Sequence, residues 1–352
     1  MSTGVIVTIT LNTALHVSYT VGDPGPEAVR PVSVPSYQAG GRGVTVARVL
    51  HAFGHDVLAA GRAGGASGEL IREDLARSGV PTAFTHIRGE SRRLFRFAPR
   101  AGQALRFGEP GPYITTEELG RFAADYRRLL AGAAAVVLCG SLPDGLPADI
   151  YGTLVTYAAE AGVPVILDVG GEELRHAVDH GPDLVVAQAS PEEDPGSGRG
   201  LGTALIRLGA SAAAVAVGGL VHAVTATGEW TAHIAADSGC RPARGALVAG
   251  LVPGQVLGWS WPDRLRHALA LAISGTDADD NGSEGGYRVD LTAYERLLDA
   301  VTVEPRVGLS CSDEHGPGSR RPGRGAPFRA RRPRGDLRRG AGRGRPDPGP
   351  AE

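Results

Sequence analysis

This 352-residue sequence predicts an α/β fold built on a doubly wound, mostly parallel sheet. Three observations carry that expectation. Short continuous apolar runs, the mark of strands buried on both faces, recur along the first 220 residues. Helical stretches separate them, the alternation that parallel strands with crossovers require. Glycine clusters or a carboxylate close several of the runs, where open α/β sheets hold their ligands.

The elements follow in order. Residues 5–11 (VIVTITL) are a β-branched run that predicts a strand. Gly40, Gly41 and Gly43, set around Arg42, lead into residues 44–50 (VTVARVL), whose spacing suits a helix packed on a sheet. Residues 63–68 (AGGASG) again precede a helical stretch. Residues 134–138 (AAVVL) read as a buried strand ending at Gly140-Ser141, and a helix over about 149–161 follows, stopped by Gly162. Residues 163–167 (VPVIL) form the next strand, closed by Asp168, and 183–187 and 212–217 continue the series. Around 15–38 and 83–107, Val, Tyr, Thr, Phe and Arg alternate over short stretches. That pattern predicts half-exposed antiparallel strands in a small lid beside the main sheet. From about Gly308 onward periodicity gives way to Gly, Pro and Arg, so 308–352 is expected to be a disordered tail and 1–307 the folded domain.

Hydrophobic residues make up 42% and charged residues 21%, the balance of a soluble chain with a sizeable core. No apolar run reaches the ~18 residues of a membrane span, and no basic segment precedes an apolar one at the N-terminus, so no membrane partner is expected. Cys139, Cys240 and Cys311 lie far apart with no C-x-x-C pair, which excludes a disulfide scaffold and fits a reducing cytoplasm. The net charge of −2 hides two unlike halves: Ser319 to Glu352 holds eleven Arg against three acidic residues, leaving the rest acidic. Every basic residue is Arg, and with 52 Gly and 25 Pro this has the look of high-GC coding. The same bias accounts for the tail, so nucleic-acid binding through its arginines is the weaker alternative there.

Four places can carry chemistry. Gly40-Gly41-Arg42-Gly43 opens a helix, where backbone N–H groups favour an anion and where a tight turn alone would also need glycine. Residues 63–68 are ambiguous in the same way. Gly140-Ser141 sets a hydroxyl at a strand end, and Asp168 sets a carboxylate at another, where an acid can orient a metal or substrate or simply form a turn. Asp277, Asp279 and Asn281-Gly282 match the start of a calcium loop, but its twelfth position is Arg288, and a solvated acidic loop is the better reading.

Taken together, the series resembles the phosphofructokinase B branch of the ribokinase-like carbohydrate kinases, in its 1-phosphofructokinase and tagatose-6-phosphate kinase group. The matching stretches are residues 10–15 (TLNTAL), 40–48 (GGRGVTVAR), 63–69 (AGGASGE), 109–112 (EPGP), 140–143 (GSLP), 167–172 (LDVGGE) and 301–305 (VTVEP). The resemblance implies a ribokinase-like core with a β-lid, often dimeric through that lid. It also implies ATP and Mg²⁺ as cofactors and a hexose phosphate such as fructose 1-phosphate, fructose 6-phosphate or tagatose 6-phosphate as substrate. Gly40, Gly41, Gly43, Arg92 and Ser141 fall on substrate-contact positions, and Asp168 and Gly218 on the nucleotide side.

The departures fall on the catalytic positions. In that family an Asp closing a Gly-Ala-Gly-Asp motif deprotonates the sugar hydroxyl, and the glycines before it form an anion hole. Here residues 242–245 read PARG: Gly245 takes the base position, and Pro242 and Arg244 replace the glycines. His16 takes the place of the sugar-gripping Asp, Arg42 of a Lys, Thr45 of an Asn, and residues 186–191 (VAQASP) of the metal-side Lys-Pro-Asn-x-x-Glu. The resemblance therefore implies a kinase homologue with impaired catalysis, the alternative being a working kinase in which another acid serves as base.

Overall fold

The computed structural model of the chain describes residues 4–22, 32–99, 103–189, 196–234, 241–276 and 288–306. The Arg-rich stretch from 308, the acidic loop 277–287 and Ser190-Pro191 lie outside these residues.

The first half alternates strands with helices as the apolar runs require. β1 (Val5–Thr10) leads into a lid hairpin, β2 (Ala14–Val21) and β3 (Ser36–Gly40), then α1 (Arg42–Ala52), β4 (Val57–Ala63) and α2 (Gly65–Arg77). β5 (Thr82–His86), β6 (Arg92–Pro99) and β7 (Leu105–Gly108) precede α3 (Thr116–Leu130), which opens on a reciprocal cap: Thr115 accepts from the Glu118 N–H while Glu118 accepts from that of Thr115. β8 (Ala133–Cys139), α4 (Ile150–Glu160), β9 (Val165–Asp168), α5 (Gly171–Ala177), β10 (Leu184–Gln188), α6 (Ser197–Leu208) and β11 (Ala212–Val217) continue the alternation. The chain then turns antiparallel with β12 (Leu220–Thr225) and β13 (Glu229–Ile234), passes through α7 (Arg244–Leu257) and α8 (Trp261–Ser274), and makes a small β14 (Gly275–Thr276) and β15 (Arg288–Val289) pair. It ends with α9 (Leu291–Ala300) and β16 (Val301–Arg306).

Ten of these strands form one sheet in the order β16-β13-β12-β11-β10-β9-β8-β1-β4-β5, parallel from β5 to β11 and antiparallel beyond. Two apolar layers bury its faces. Leu50, Leu247, Leu251 and Leu269 from α1, α7 and α8 cover one, and Phe122, Tyr126, Leu154 and Leu205 from α3, α4 and α6 cover the other. The fold is thus the doubly wound α/β sheet the sequence predicts. The strand order reverses at β1, which pairs with β4 on one side and β8 on the other. That reversal opens a crevice at the carboxyl ends of β1 and β8.

A second sheet, β3-β2-β6-β7, is the lid. The structure corrects the expected lid twice. Residues 82–86 do not belong to it: β5 is the parallel edge of the main sheet. Within the lid, β2 and β6 run parallel, and only β2–β3 and β6–β7 are antiparallel. Alternation along a strand reports half-burial, which an edge strand shares with a lid strand, and says nothing of direction.

Candidate functional site

Of the four places read as able to carry chemistry, 40–43, Gly140-Ser141 and Asp168 meet at the crevice, and 63–68 does not. β1 ends at Thr10, and Asn12 just beyond it donates from Nδ2 to Ser141 Oγ (3.4 Å), so the ends of β1 and β8 are tied at the reversal. Gly140 turns the chain there with φ 97° and donates its N–H to the Asp168 carbonyl (3.3 Å). The buried Tyr151 hydroxyl, 3.0 Å from both the Cys139 and Gly140 carbonyls, pins the same turn from beneath.

Gly40 and Gly41 are where a side chain has no room. A Cβ on Gly40 would fall 2.1 Å from His16 Nε2, and Gly41, at φ 114°, would press 2.7 Å onto the Thr10 methyl. The His16 side chain of β2 and close packing against Thr10 of β1 thus account for these two glycines without a ligand, while leaving their backbone at the crevice. The second cluster is different. The Glu90 carboxylate already accepts from the N–H groups of Ala66 (3.1 Å) and Ser67 (2.5 Å), so the N-terminus of α2 carries its own anion. Burial pushes the Glu90 carboxyl up, and these hydrogen bonds outweigh it, leaving it below its ordinary value. Residues 63–68 are scaffold.

Asp168 lies at the centre, wholly buried at the end of β9. Its Oδ1 accepts from Arg244 Nε (2.6 Å) and from Arg42 Nη1 (3.2 Å), and its Oδ2 has no hydrogen-bond partner among the described residues. Arg244 Nη2 also reaches the carbonyls of Val169 (3.3 Å) and Val186 (3.4 Å). Arg244 opens α7 and Arg42 opens α1, so two helix starts bring two guanidinium groups onto one carboxylate. Gly245 follows at once. Its missing Cβ would sit 2.9 Å from Thr45 Cγ2, so the first turns of α1 and α7 touch there.

Arg92 begins β6 in register with Ala14, which also faces Gly40 across β2; its Nε is buried with no partner among the described residues. Its neighbour Ser91 accepts from the Gly64 N–H (3.0 Å). Gly218 sits in the two-residue turn from β11 to β12, at φ 56°. With β10 lying between β9 and β11, it stands two strand spacings, about 10 Å, from the Asp168 strand.

The residues present do not suit a divalent cation at Asp168, because two arginines already neutralise that carboxylate. Among the described residues no group of three or more His, Cys, Asp or Glu side chains gathers to hold a metal ion. The sequence reading missed one buried cation. Arg62 on β4 donates to the Leu11 carbonyl (2.7 Å) and lies over the Phe122 ring, its pKa pulled down to about 10 by burial. No local pattern marks it, since it stands where an apolar strand residue would.

Fold and site together define a doubly wound α/β protein with a small second sheet beside the switch in strand order. The profile of the pfkB family of carbohydrate kinases matches residues 5–192, more than half of the chain, and the chain belongs to that family. A tagatose-6-phosphate kinase of Staphylococcus epidermidis is 37% identical over 173 residues, 49% of this chain and 56% of that protein. The match thus spans little more than half of the relative's length. Among solved structures, phosphofructokinase-2 of Escherichia coli in complex with fructose-6-phosphate superposes with a TM-score of 0.73 at 22% identity, covering 84% of this chain and 98% of that one. A carbohydrate kinase from Agrobacterium tumefaciens gives 0.67 at 18% identity, covering 86% and 100%. These two likenesses establish the shared fold, which extends well past residue 192 into the segment that holds Arg244 and Gly245.

Proposed function

We propose that the domain over residues 1–307 binds a sugar phosphate between its lid and the carboxyl ends of the main sheet, and that its phosphoryl transfer is impaired. The observation that carries this reading is the start of α7. Arg244 is ion-paired to Asp168 where the family has an anion-hole glycine, and Gly245 offers no side chain where the family has its base. Phosphoryl transfer needs positioning, charge stabilisation and a group to take the hydroxyl proton. The crevice retains positioning groups in Gly40, Gly41, Gly43, Arg92 and Ser141. It lacks the base and holds a guanidinium in place of backbone donors. The kinds of substrate named for the relatives, tagatose 6-phosphate and fructose-6-phosphate, make a hexose phosphate the class to test.

The test is ADP release by the purified full chain with ATP, Mg²⁺ and fructose 1-phosphate, fructose 6-phosphate or tagatose 6-phosphate. The expected outcome is no sugar-dependent turnover above background, together with a rise in melting temperature on adding the sugar phosphate. Turnover near the ~1–10² s⁻¹ usual for kinases overturns the impaired reading. Asp168 would then be the acid to examine as a displaced base, since its Oδ2 has no partner among the described residues.

A second copy of the chain is the proposed partner across the lid. Tyr37, Leu105 and Phe107 are exposed on the apolar face of that sheet.

A further inference from the structure

β1 and β8 end side by side at the reversal, and each end is held from beneath by a buried side chain. Tyr151 of α4 holds the end of β8 through the Cys139 and Gly140 carbonyls. Arg62 of β4 holds the end of β1. Two positions after Ala60, it points into the layer of α3 and α4, with its Cζ 5.4 Å from the centre of the Phe122 ring and its surface only 2% exposed. Its Nη2 donates to the Leu11 carbonyl (2.7 Å), one residue past the ladders of β1, which close at Thr10.

Stability does not explain a guanidinium there. Nε and Nη1 are buried with no hydrogen-bond partner among the described residues. Glu118 favours the charge, but its two oxygens accept from the backbone N–H groups of Arg88 and Thr115 and from the Thr115 hydroxyl. Burial pulls the Arg62 pKa down only to about 10, so the group stays charged at neutral pH. A buried charge with unmade hydrogen bonds costs free energy, and an apolar side chain of similar volume in its place is often neutral or stabilising.

What the guanidinium holds is a joint. Only residues 11–13 separate β1 of the main sheet from β2 of the lid. The Leu11 carbonyl belongs to the same planar peptide as the Asn12 N–H, so fixing one fixes the plane from which Asn12 projects. Asn12 reaches Ser141 through a hydrogen bond of 3.4 Å, longer than the usual range and too weak to set its own position. A Cβ on Gly61 would fall 2.0 Å from the Thr10 carbonyl, so β4 and β1 are in close contact at the base of the joint.

We infer that Arg62 is a positioning residue for the crevice, clamping the Leu11 peptide from the buried side of the sheet and so aligning Asn12 with Ser141; this rests on reading the crevice as a sugar-phosphate site with Ser141 among its contacts.

Titration calorimetry with fructose 6-phosphate and tagatose 6-phosphate on the full chain, together with melting curves, tests it through Arg62→Met, Asn12→Ala and the double variant. Arg62→Met should melt at or above the native temperature and bind the sugar phosphate about fivefold or more weakly, in the range of coupled residues in one network. Asn12→Ala should weaken binding by a similar factor. The double variant should bind no more weakly than Asn12→Ala alone, because Arg62 acts through Asn12. Arg62→Lys, which can still donate to the Leu11 carbonyl, should recover part of the affinity. Native affinity in Arg62→Met overturns the inference and spares the sugar-phosphate reading, as do additive losses in the double variant. A melting temperature several degrees lower, or failure to fold, makes Arg62 a support of the core and also overturns it. No binding by the native chain overturns both.

Discussion

Gly245 and Thr45 hold the first turns of α7 and α1 against each other, so the position to which the proposed reading assigns the family's base has little room for a side chain. Gly245→Asp alone should leave ADP release at background and lower the melting temperature, because an inserted side chain meets Thr45 at 2.9 Å and overpacking costs about 1–3 kcal/mol. Adding Thr45→Ala should recover part of that loss. With Pro242→Gly and Arg244→Gly as well, sugar-dependent ADP release should rise by roughly 10²-fold, the low end of what a positioned base contributes. No rise while a sugar phosphate still binds would show that the base belongs elsewhere. The family resemblance implied that Gly245 stands in place of an acid and Arg244 in place of a glycine. It did not indicate that Arg244 reaches Asp168, because a contact across 76 residues leaves no local periodicity.

At the scale of elements, buried parallel strands were the most legible. Each is a near-continuous apolar run, so residues 5–11, 134–138 and 212–217 differ from β1, β8 and β11 by at most one residue at either end. β5 was misassigned to the lid because, as an edge strand, it is only partly buried and gives no continuous apolar run. The antiparallel strands β12, β13 and β16 were not anticipated, their mixed polar and apolar residues giving no such run. The helices around β16 hold a titrating group. His267 on α8, with Nδ1 2.5 Å from the Tyr294 hydroxyl of α9, packs edge-on to Phe53 and Trp259. Burial, with a smaller contribution from His55, lowers its pKa from 6.5 to about 4. Because the folded value lies below the unfolded one, its contribution is whole above pH 6.5 and is lost as pH falls towards 4, on the order of 3 kcal/mol. Melting curves across that window should fall less steeply for His267→Phe than for the native chain, even if the variant melts lower at pH 7. Parallel curves would remove His267 from the acid response.

For the whole molecule, the lid's apolar face gives the proposed second copy its test. Phe107→Asp with Leu105→Asp should convert a dimer to a monomer in light scattering while leaving the melting temperature of the fold within a few degrees, since both residues are exposed. A native chain that is already monomeric at micromolar concentration would refute the pairing. No described helix is long and apolar enough to cross a membrane, in keeping with the absence of a long apolar run in the sequence.

The strand order also works as a timetable. β1, made before the other described strands, lies inside the sheet, third from the β5 edge, and it gains its neighbours only when β4 and then β8 have been made. Growth proceeds outward from there, and β13 stays unpaired on one side until Arg306 emerges. At roughly 5–20 residues per second, the nascent chain carries an open sheet edge for several seconds after the crevice strands have met. Pulse-labelled amide exchange during refolding should accordingly show β1, β4 and β8 protected before β13 and β16. The part of the molecule that gathers the proposed sugar-binding residues 40–43, 92 and 141 is assembled early, and the part that closes the sheet arrives last.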